Sequence, residues 1–97
     1  MRIIARRTLR GFWERYPDSE QVLRAWYQDA KQANWKSPAD IRRTYANASI
    51  VANNRVVFNI RGNNYRLICA INYDYGLIYI RFVGTHSEYD QVDAATV

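Results

Sequence analysis

One cysteine, one histidine and two lysines among 97 residues leave several kinds of chemistry without their usual residues. Cys69 alone closes no internal disulfide and, with His86 as the only imidazole, supplies too few ligands for a zinc site. A lone thiol fits a reducing compartment. No apolar stretch approaches the ~20 residues of a membrane span. The opening Met1-Arg2-Ile3-Ile4-Ala5-Arg6-Arg7 breaks its apolar run with charge, unlike a secretory signal, so the expected location is cytoplasmic. A glycine-rich phosphate loop is missing, since the Gly62-Asn63-Asn64 turn has one glycine. No serine or cysteine sits in a recognisable nucleophile motif, no helix-turn-helix recognition helix stands out, and the few acids are scattered rather than paired. Neither a metal nor an organic cofactor is expected.

What is present is apolar mass, aromatic rings and arginine. The chain is 48% hydrophobic and 24% charged, the balance of one globular domain over residues 1–97 rather than of a disordered segment. Three Trp, eight Tyr and three Phe are a large aromatic payload for this length. The net charge is +5, and twelve of the fourteen basic residues are Arg. A guanidinium offers a planar fork of donors that fits phosphate. A solubilising surface and a polyanion partner both account for this charge, and only position separates them. Residues 1–49 hold ten basic and five acidic groups, whereas residues 50–97 hold four of each. The excess positive charge therefore lies in the N-terminal half.

That half reads as helical after a short strand over Met1–Ala5. Leu9, Phe12, Trp13 and Tyr16 fall at i, i+3, i+4 and i+7, with Arg6, Arg7, Arg10 and Arg15 on the other face. Pro17 ends this helix, and Asp18 is expected to cap the next with Gln21 as its capping-box partner. Val22, Leu23, Trp26, Tyr27, Ala30 and Ala33 give a second apolar stripe, so the two helices should form a hairpin. Ser37, Pro38 and Asp40 suit N-cap, N1 and N3 of a short helix ending near Tyr45. From Ala48 onward helix signals stop. Val56, Phe58 and Ile60 mark a half-buried strand, Gly62-Asn63 a hairpin turn, and Tyr65–Tyr73 and Leu77–Gly84 two central strands around Asp74-Tyr75-Gly76. Thr85–Val97 reads as a short helix that frays. Helices first and a meander afterwards predict an α+β fold.

Strand parity gives the few sheet arginines defined directions. With Gly62-Asn63 as the loop, Asn59 lies opposite Arg66, and Asn59, Arg61 and Arg66 share one face. With Asp74-Tyr75-Gly76 as a three-residue loop, Arg66 lies opposite Gly84, and His86 continues that face beyond the strand. Val56, Phe58, Ile60, Tyr65, Leu67, Cys69 and Ile71 form the opposite, helix-covered face. Tyr89, three residues after His86, comes beside it on a helical turn. Plainer roles stand beside these. His86 is an idle surface residue or a functional one, Tyr89 packs or acts, and Arg66 pairs with Asp74 or Glu88 or stays free. Arg81 falls on the core-side parity, with Glu14 as its candidate partner. Cys69 is a small core residue.

RNA cleavage without a metal needs only such groups. A 2′-hydroxyl loses a proton and attacks the adjacent phosphate, the leaving 5′-oxygen gains one, and the phosphorane charge is stabilised. A His, a Tyr and one or two Arg on a sheet face suffice. The segments Arg55-Val-Val-Phe-Asn-Ile-Arg-Gly-Asn-Asn-Tyr-Arg-Leu67 and Arg81-Phe-Val-Gly-Thr-His-Ser-Glu-Tyr-Asp90 resemble the HigB toxins of bacterial type II toxin–antitoxin systems, within the RelE-type superfamily. The Trp26-Tyr27 helix, Trp35-Lys36-Ser37-Pro38-Ala39-Asp40 and Ala48-Ser49-Ile50 extend the resemblance over nearly the whole chain.

The resemblance implies a RelE-like fold, with N-terminal helices packed on one face of a twisted antiparallel sheet and a short C-terminal helix. It implies a metal-independent endoribonuclease that cuts mRNA, commonly in the ribosomal A site. A HigA-type antitoxin is the implied partner, and DNA is met only through the antitoxin complex. In the family an arginine in a Tyr-Arg-Leu context faces the scissile phosphate, which here is Arg66. A basic residue after the Val-Gly step is the candidate acid, here His86, and a C-terminal tyrosine helps position or activate the nucleophile, here Tyr89. Some relatives carry lysines on the preceding strand; this chain offers Asn59 and Arg61, and Asn cannot act as a base. Asn59, Arg61 and Lys36 are the candidate RNA contacts. The rival readings are a non-catalytic RNA-binding or regulatory module on the same fold, and a structural protein whose basic face docks an acidic partner.

Overall fold

The computed structural model describes residues 1–97. Strand β1 (Arg2–Ile4) is followed by helices α1 (Arg6–Arg15), α2 (Glu20–Gln32) and α3 (Pro38–Thr44). Strands β2 (Ser49–Val51), β3 (Arg55–Ile60), β4 (Tyr65–Asn72) and β5 (Leu77–Thr85) then lead to a single-turn helix α4 (His86–Tyr89). The five strands form one sheet in the order β1-β5-β4-β3-β2. The architecture is the expected α+β, with one difference of direction. β2 to β5 run antiparallel, but β1 joins the edge of β5 in parallel, which makes the sheet mixed.

The helices follow their apolar periodicity. Leu9, Phe12 and Trp13 of α1, and Leu23, Trp26 and Ala30 of α2, are buried against one face of the sheet. That face presents Val56, Phe58, Ile60, Tyr65, Leu67, Cys69, Ile71 and Ile78. Phe58 joins the layers: its ring lies 5.4 Å from Trp26, 6.2 Å from Trp35 and 5.4 Å from Tyr45. Trp13 takes guanidinium groups from both helices, Arg24 at 4.8 Å and Arg6 at 5.7 Å from the ring centre. Part of the basic content of the helices thus lies over aromatic rings, the exposed Arg15 over Phe12 and Tyr16 included, while Arg7 and Arg10 are exposed without such a contact. The Met1 amino group donates to the carbonyls of Lys31 (2.7 Å) and Ala33 (3.1 Å), a cation at the negative end of α2.

Asp18 does not cap α2. It lies in a 3₁₀ turn over Pro17–Ser19, Ser19 precedes the helix without a side-chain cap, and the Asp18 carboxylate is taken by Arg61 and Tyr65. At the third helix, Pro38 starts the first turn as expected, and Asp40 reaches back to accept from the Lys36 amide at 2.9 Å. Tyr45 donates to Asp29 of α2 at 2.7 Å. Burial first, and the Asp29 carboxylate second, push the Tyr45 phenol well above the ordinary tyrosine range. A raised folded-state pKa makes this contribution full below the unfolded value near 10 and lost as pH rises through the folded value. Tyr45→Phe is therefore expected to cost about 1 kcal/mol in urea unfolding at pH 7. The difference from wild type should be constant from pH 6 to 9.

Two features of the sheet were not visible in strand patterning. β2 is one, paired with β3 across a turn in which Asn53 and Asn54 adopt φ of 61° and 58°. Asparagine tolerates this left-handed region better than most residues. The other is a compensation in β5. Its loop to β4 has four residues, Tyr73–Gly76, rather than three, which shifts the register by one. A bulge at Arg81 shifts it back, because Cys69 pairs with Ile80 while Ile68 pairs with Phe82. Arg66 consequently faces Gly84 as expected, by a different route. Arg81 is the bulged residue; it is exposed and donates to the main-chain oxygen of Val97 at 3.1 Å rather than to Glu14.

The face away from the helices is only partly open. Val57 and Ile68, paired across β3 and β4, are 2% and 0% exposed although they lie outside the main core. The segment after α4 returns over this side. Ala95 accepts from Asn53 at 2.9 Å, and Val97 accepts from Arg55 at 2.9 Å. The end of the sheet that carries Asn59, Arg66 and α4 lies beyond these two contacts.

Candidate functional site

β4 is the central strand, and Arg66 stands one residue inside its start. Asn59 of β3 faces it on one side and Gly84 of β5 on the other. The half-buried Arg66 guanidinium uses Nη1 twice, donating to the carbonyls of Asn63 (3.1 Å) and Tyr65 (3.2 Å). No carboxylate pairs with it. Asp74 makes no ion pair, and Glu88 is engaged at the start of α4. An ordered guanidinium with Nε and Nη2 left over, and no acid paired with it, is suited to hold an anion in the plane of its fork.

α4 brings the second and third groups. Thr85 caps it: the Thr85 hydroxyl accepts from the Glu88 amide at 3.2 Å, and the Glu88 carboxylate accepts from the Thr85 amide at 2.8 Å. This Thr-x-x-Glu box is readable in the sequence, and it fixes the direction in which a very short helix leaves the strand. The His86 amide donates to the Asn64 carbonyl at 3.1 Å, which holds the first helical residue to the β3–β4 turn. Its imidazole is 52% exposed, and Nδ1 lies 3.4 Å from Asp90 of the same turn of chain, leaving Nε2 for a substrate oxygen. The Tyr89 ring packs against the Arg66 guanidinium, 5.6 Å from ring centre to Cζ. Arg66, His86, Tyr89 and Asn59 thus come together at one end of the sheet.

Gly84, opposite Arg66, leaves room for the Phe82 ring and the Glu88 carboxylate. A Cβ there would stand 2.5 Å from Phe82 Cζ and 3.0 Å from Glu88 Oε1. Gly84→Ala is expected to displace the Phe82 ring and loosen the α4 cap, costing about 1–3 kcal/mol in chemical unfolding. Sequence reasoning placed Gly84 opposite Arg66 without this packing role, which only the coordinates of Phe82 and Glu88 supply. Asp90 was missed as the partner of His86, although the i, i+4 spacing was there to be read.

Two expected RNA contacts lie elsewhere. Arg61 does not share the Arg66 face: it leaves the strand with φ of 52°, and its Nη1 pairs with Asp18 at 2.9 Å toward the helix layer. Lys36 is exposed just before α3, beside the buried Trp35 that stacks on Phe58, and so lies on the helix side of the sheet. Asn59 keeps its expected position and also lines a groove of about 420 Å³ between the Tyr45–Ala48 segment and the Gly62-Asn63 turn.

Known proteins resemble this chain over most of its length. A family model described as "HigB_toxin, RelE-like toxic component of a toxin-antitoxin system" matches residues 19–92. A protein named mRNA interferase HigB from a strain of Escherichia coli is 26% identical over 94 residues, covering 95% of this chain and 91% of its own. Another of that name, from Shigella flexneri, is 27% identical over 92 residues, covering 93% and 88%. The matched span contains Asn59, Arg66, His86 and Tyr89, and omits β1 and α1.

Proposed function

The chain belongs to the HigB toxin family of RelE-like toxic components of toxin–antitoxin systems, and from that premise we propose that it is an endoribonuclease that cleaves mRNA in the ribosomal A site. The observation that carries this reading is the Arg66 guanidinium, which has no ion-pair partner, with the Tyr89 ring packed on it and His86 leading the adjacent helix. Those are the groups that a phosphodiester needs around it.

In the proposed reaction the 2′-hydroxyl of the A-site nucleotide attacks its own 3′-phosphate. Arg66 binds two non-bridging oxygens and gains strength as charge builds on the phosphorane. His86 protonates the departing 5′-oxygen through Nε2, with Asp90 holding the ring by Nδ1. Tyr89 keeps the guanidinium in place and, with Asn59, orients the hydroxyl. Asn59 takes up no proton, so the proton of the nucleophile passes to Tyr89 acting as base or to water. The products are a 2′,3′-cyclic phosphate and a 5′-hydroxyl, and no step calls on a metal.

Substrate approach follows from charge. The exposed Arg7, Arg10, Arg15 and Lys36 on the helix side meet ribosomal RNA through its phosphates, without reading sequence. No helix is long and apolar enough to cross a membrane, which suits a cytoplasmic enzyme working on ribosomes. The partner is a HigA-type antitoxin, through which alone the toxin meets DNA. Brief induction followed by mapping of mRNA 5′ ends tests the reading. New ends inside translated regions, abolished by co-expressed antitoxin, are expected. RNA binding with no new ends would identify a non-catalytic module instead.

A further inference from the structure

Three consecutive carbonyls, two in the β3–β4 turn and one at the start of β4, hold the site. Asn63 and Tyr65 accept from Arg66 Nη1, and Asn64 accepts from the His86 amide. The placement of a guanidinium and of the helix that carries the imidazole therefore depends on one short turn. That turn, Arg61–Asn64, is exposed, is closed by a single bond from the Asn64 amide to the Arg61 carbonyl at 3.2 Å, and has left-handed backbone at Arg61 and Gly62. Glycine adopts φ of 64° freely; arginine at 52° is uncommon and needs something to hold it there.

The holding group comes from the other layer of the protein. Asp18 accepts from Arg61 Nη1 at 2.9 Å through one carboxylate oxygen and from the Tyr65 hydroxyl at 2.5 Å through the other. The two donors flank the turn, so one carboxylate on the 3₁₀ segment between α1 and α2 grips both of its ends. Tyr65 is buried against Phe12 and Tyr16 with ring centres at 5.2 and 5.5 Å, which gives the grip a rigid base. The hydrogen bond to Asp18, with burial second, raises the Tyr65 phenol above its ordinary value, so it remains a donor.

We propose that Asp18 is a positioning residue of the ribonuclease site, fixing through Arg61 and Tyr65 the turn whose carbonyls set Arg66 and His86. It touches neither RNA nor the reacting atoms. This rests on the reading of Arg66 and His86 given above, and it assigns Arg61 an internal partner in place of RNA. An exposed ion pair contributes little to global stability, and Asp18→Ala also leaves the Tyr65 hydroxyl without its acceptor, so a modest loss of stability should accompany a larger loss of rate. A displacement of about 1 Å at a reacting group can cost up to 100-fold in rate.

Single-turnover cleavage on ribosomes programmed with mRNA, as a function of toxin concentration, separates the possibilities. Asp18→Ala and Arg61→Ala should each lower the rate at saturating toxin about 10-fold or more, with half-saturation within about twofold of wild type. Arg61→Lys, which keeps the ion pair, should recover most of the lost rate. In amide spectra the His86 resonance should move in Asp18→Ala while those of the second half of α2, from Trp26 to Gln32, stay in place. If the alanine variant does not fold, Asp18→Asn retains an acceptor for Tyr65 and should still lose rate. An unchanged maximal rate in Asp18→Ala, a loss confined to half-saturation, or an Arg61→Lys variant as slow as Arg61→Ala overturns the proposal. If Arg66→Ala is inactive while Asp18→Ala is fully active, the positioning role alone fails. If Arg66→Ala keeps full activity, the reading of the site itself fails.

Discussion

Arg66→Ala is expected to slow single-turnover cleavage of ribosome-bound mRNA by about 10²–10³-fold, the usual loss when a donor aimed at developing oxyanion charge is removed. It should also abolish growth arrest on induction. The geometry makes the loss specific. Arg66 is half-buried at the start of the central strand, makes its internal bonds only through Nη1, and has no carboxylate partner to be stranded when it is truncated. The Tyr89 ring loses the cation it packs against, but the Thr85–Glu88 box that starts α4 does not involve Arg66. Circular dichroism and the melting temperature should therefore change little. Arg66→Lys should recover only a small part of the rate, since an ammonium is a point charge and cannot span two phosphate oxygens as the fork does. A variant that is folded, binds the ribosome and does not cut is the expected outcome.

The second large effect belongs to His86. His86→Ala is expected to lower the cleavage rate by about 10²–10⁴-fold, the range for a positioned proton donor. The imidazole is exposed and contributes little to packing, so stability should be near that of wild type. A substrate whose 5′-bridging oxygen is replaced by sulfur identifies the step. A thiolate leaves without protonation, so the sulfur substrate should restore most of the rate to His86→Ala and almost none to Arg66→Ala. If His86 served only to bind RNA, the two substrates would suffer equally. Asp90→Asn should have a milder effect, because Asp90 orients the ring through Nδ1 and takes no part in the transfer.

The parts of this arrangement that local rules determine could be read from the sequence. Helical periodicity located α1 and α2, the Ser37-Pro38 pair marked the start of α3, and strand alternation assigned the core face. The pairings of Asn59 with Arg66 and of Arg66 with Gly84 were expected and are present. The second is correct for an incomplete reason, since a four-residue turn and the Arg81 bulge offset each other; bulges depend on the whole sheet and leave little local signal. β1 was seen as a strand, but its parallel pairing with β5 is a long-range choice that alternation does not encode. Asp18 shows the same limit at the site. As a helix cap it satisfied a local rule, and the structure instead gives its carboxylate to two donors more than forty residues away. Tertiary partners outbid a local cap when they supply both a charge and a buried hydroxyl. The resemblance supplied the roles of Arg66, His86 and Tyr89, which no spacing rule would have separated from a solvated arginine, an idle histidine and a packing tyrosine.

The chemistry left on the cut ends is the most direct test of the account. Incubation with programmed ribosomes, followed by analysis of both fragments, should give a 2′,3′-cyclic phosphate upstream and a 5′-hydroxyl downstream, the signature of attack by the neighbouring 2′-hydroxyl under Arg66 and His86. Fragments ending in a 3′-hydroxyl and a 5′-phosphate would mean that water attacked instead, and would contradict it.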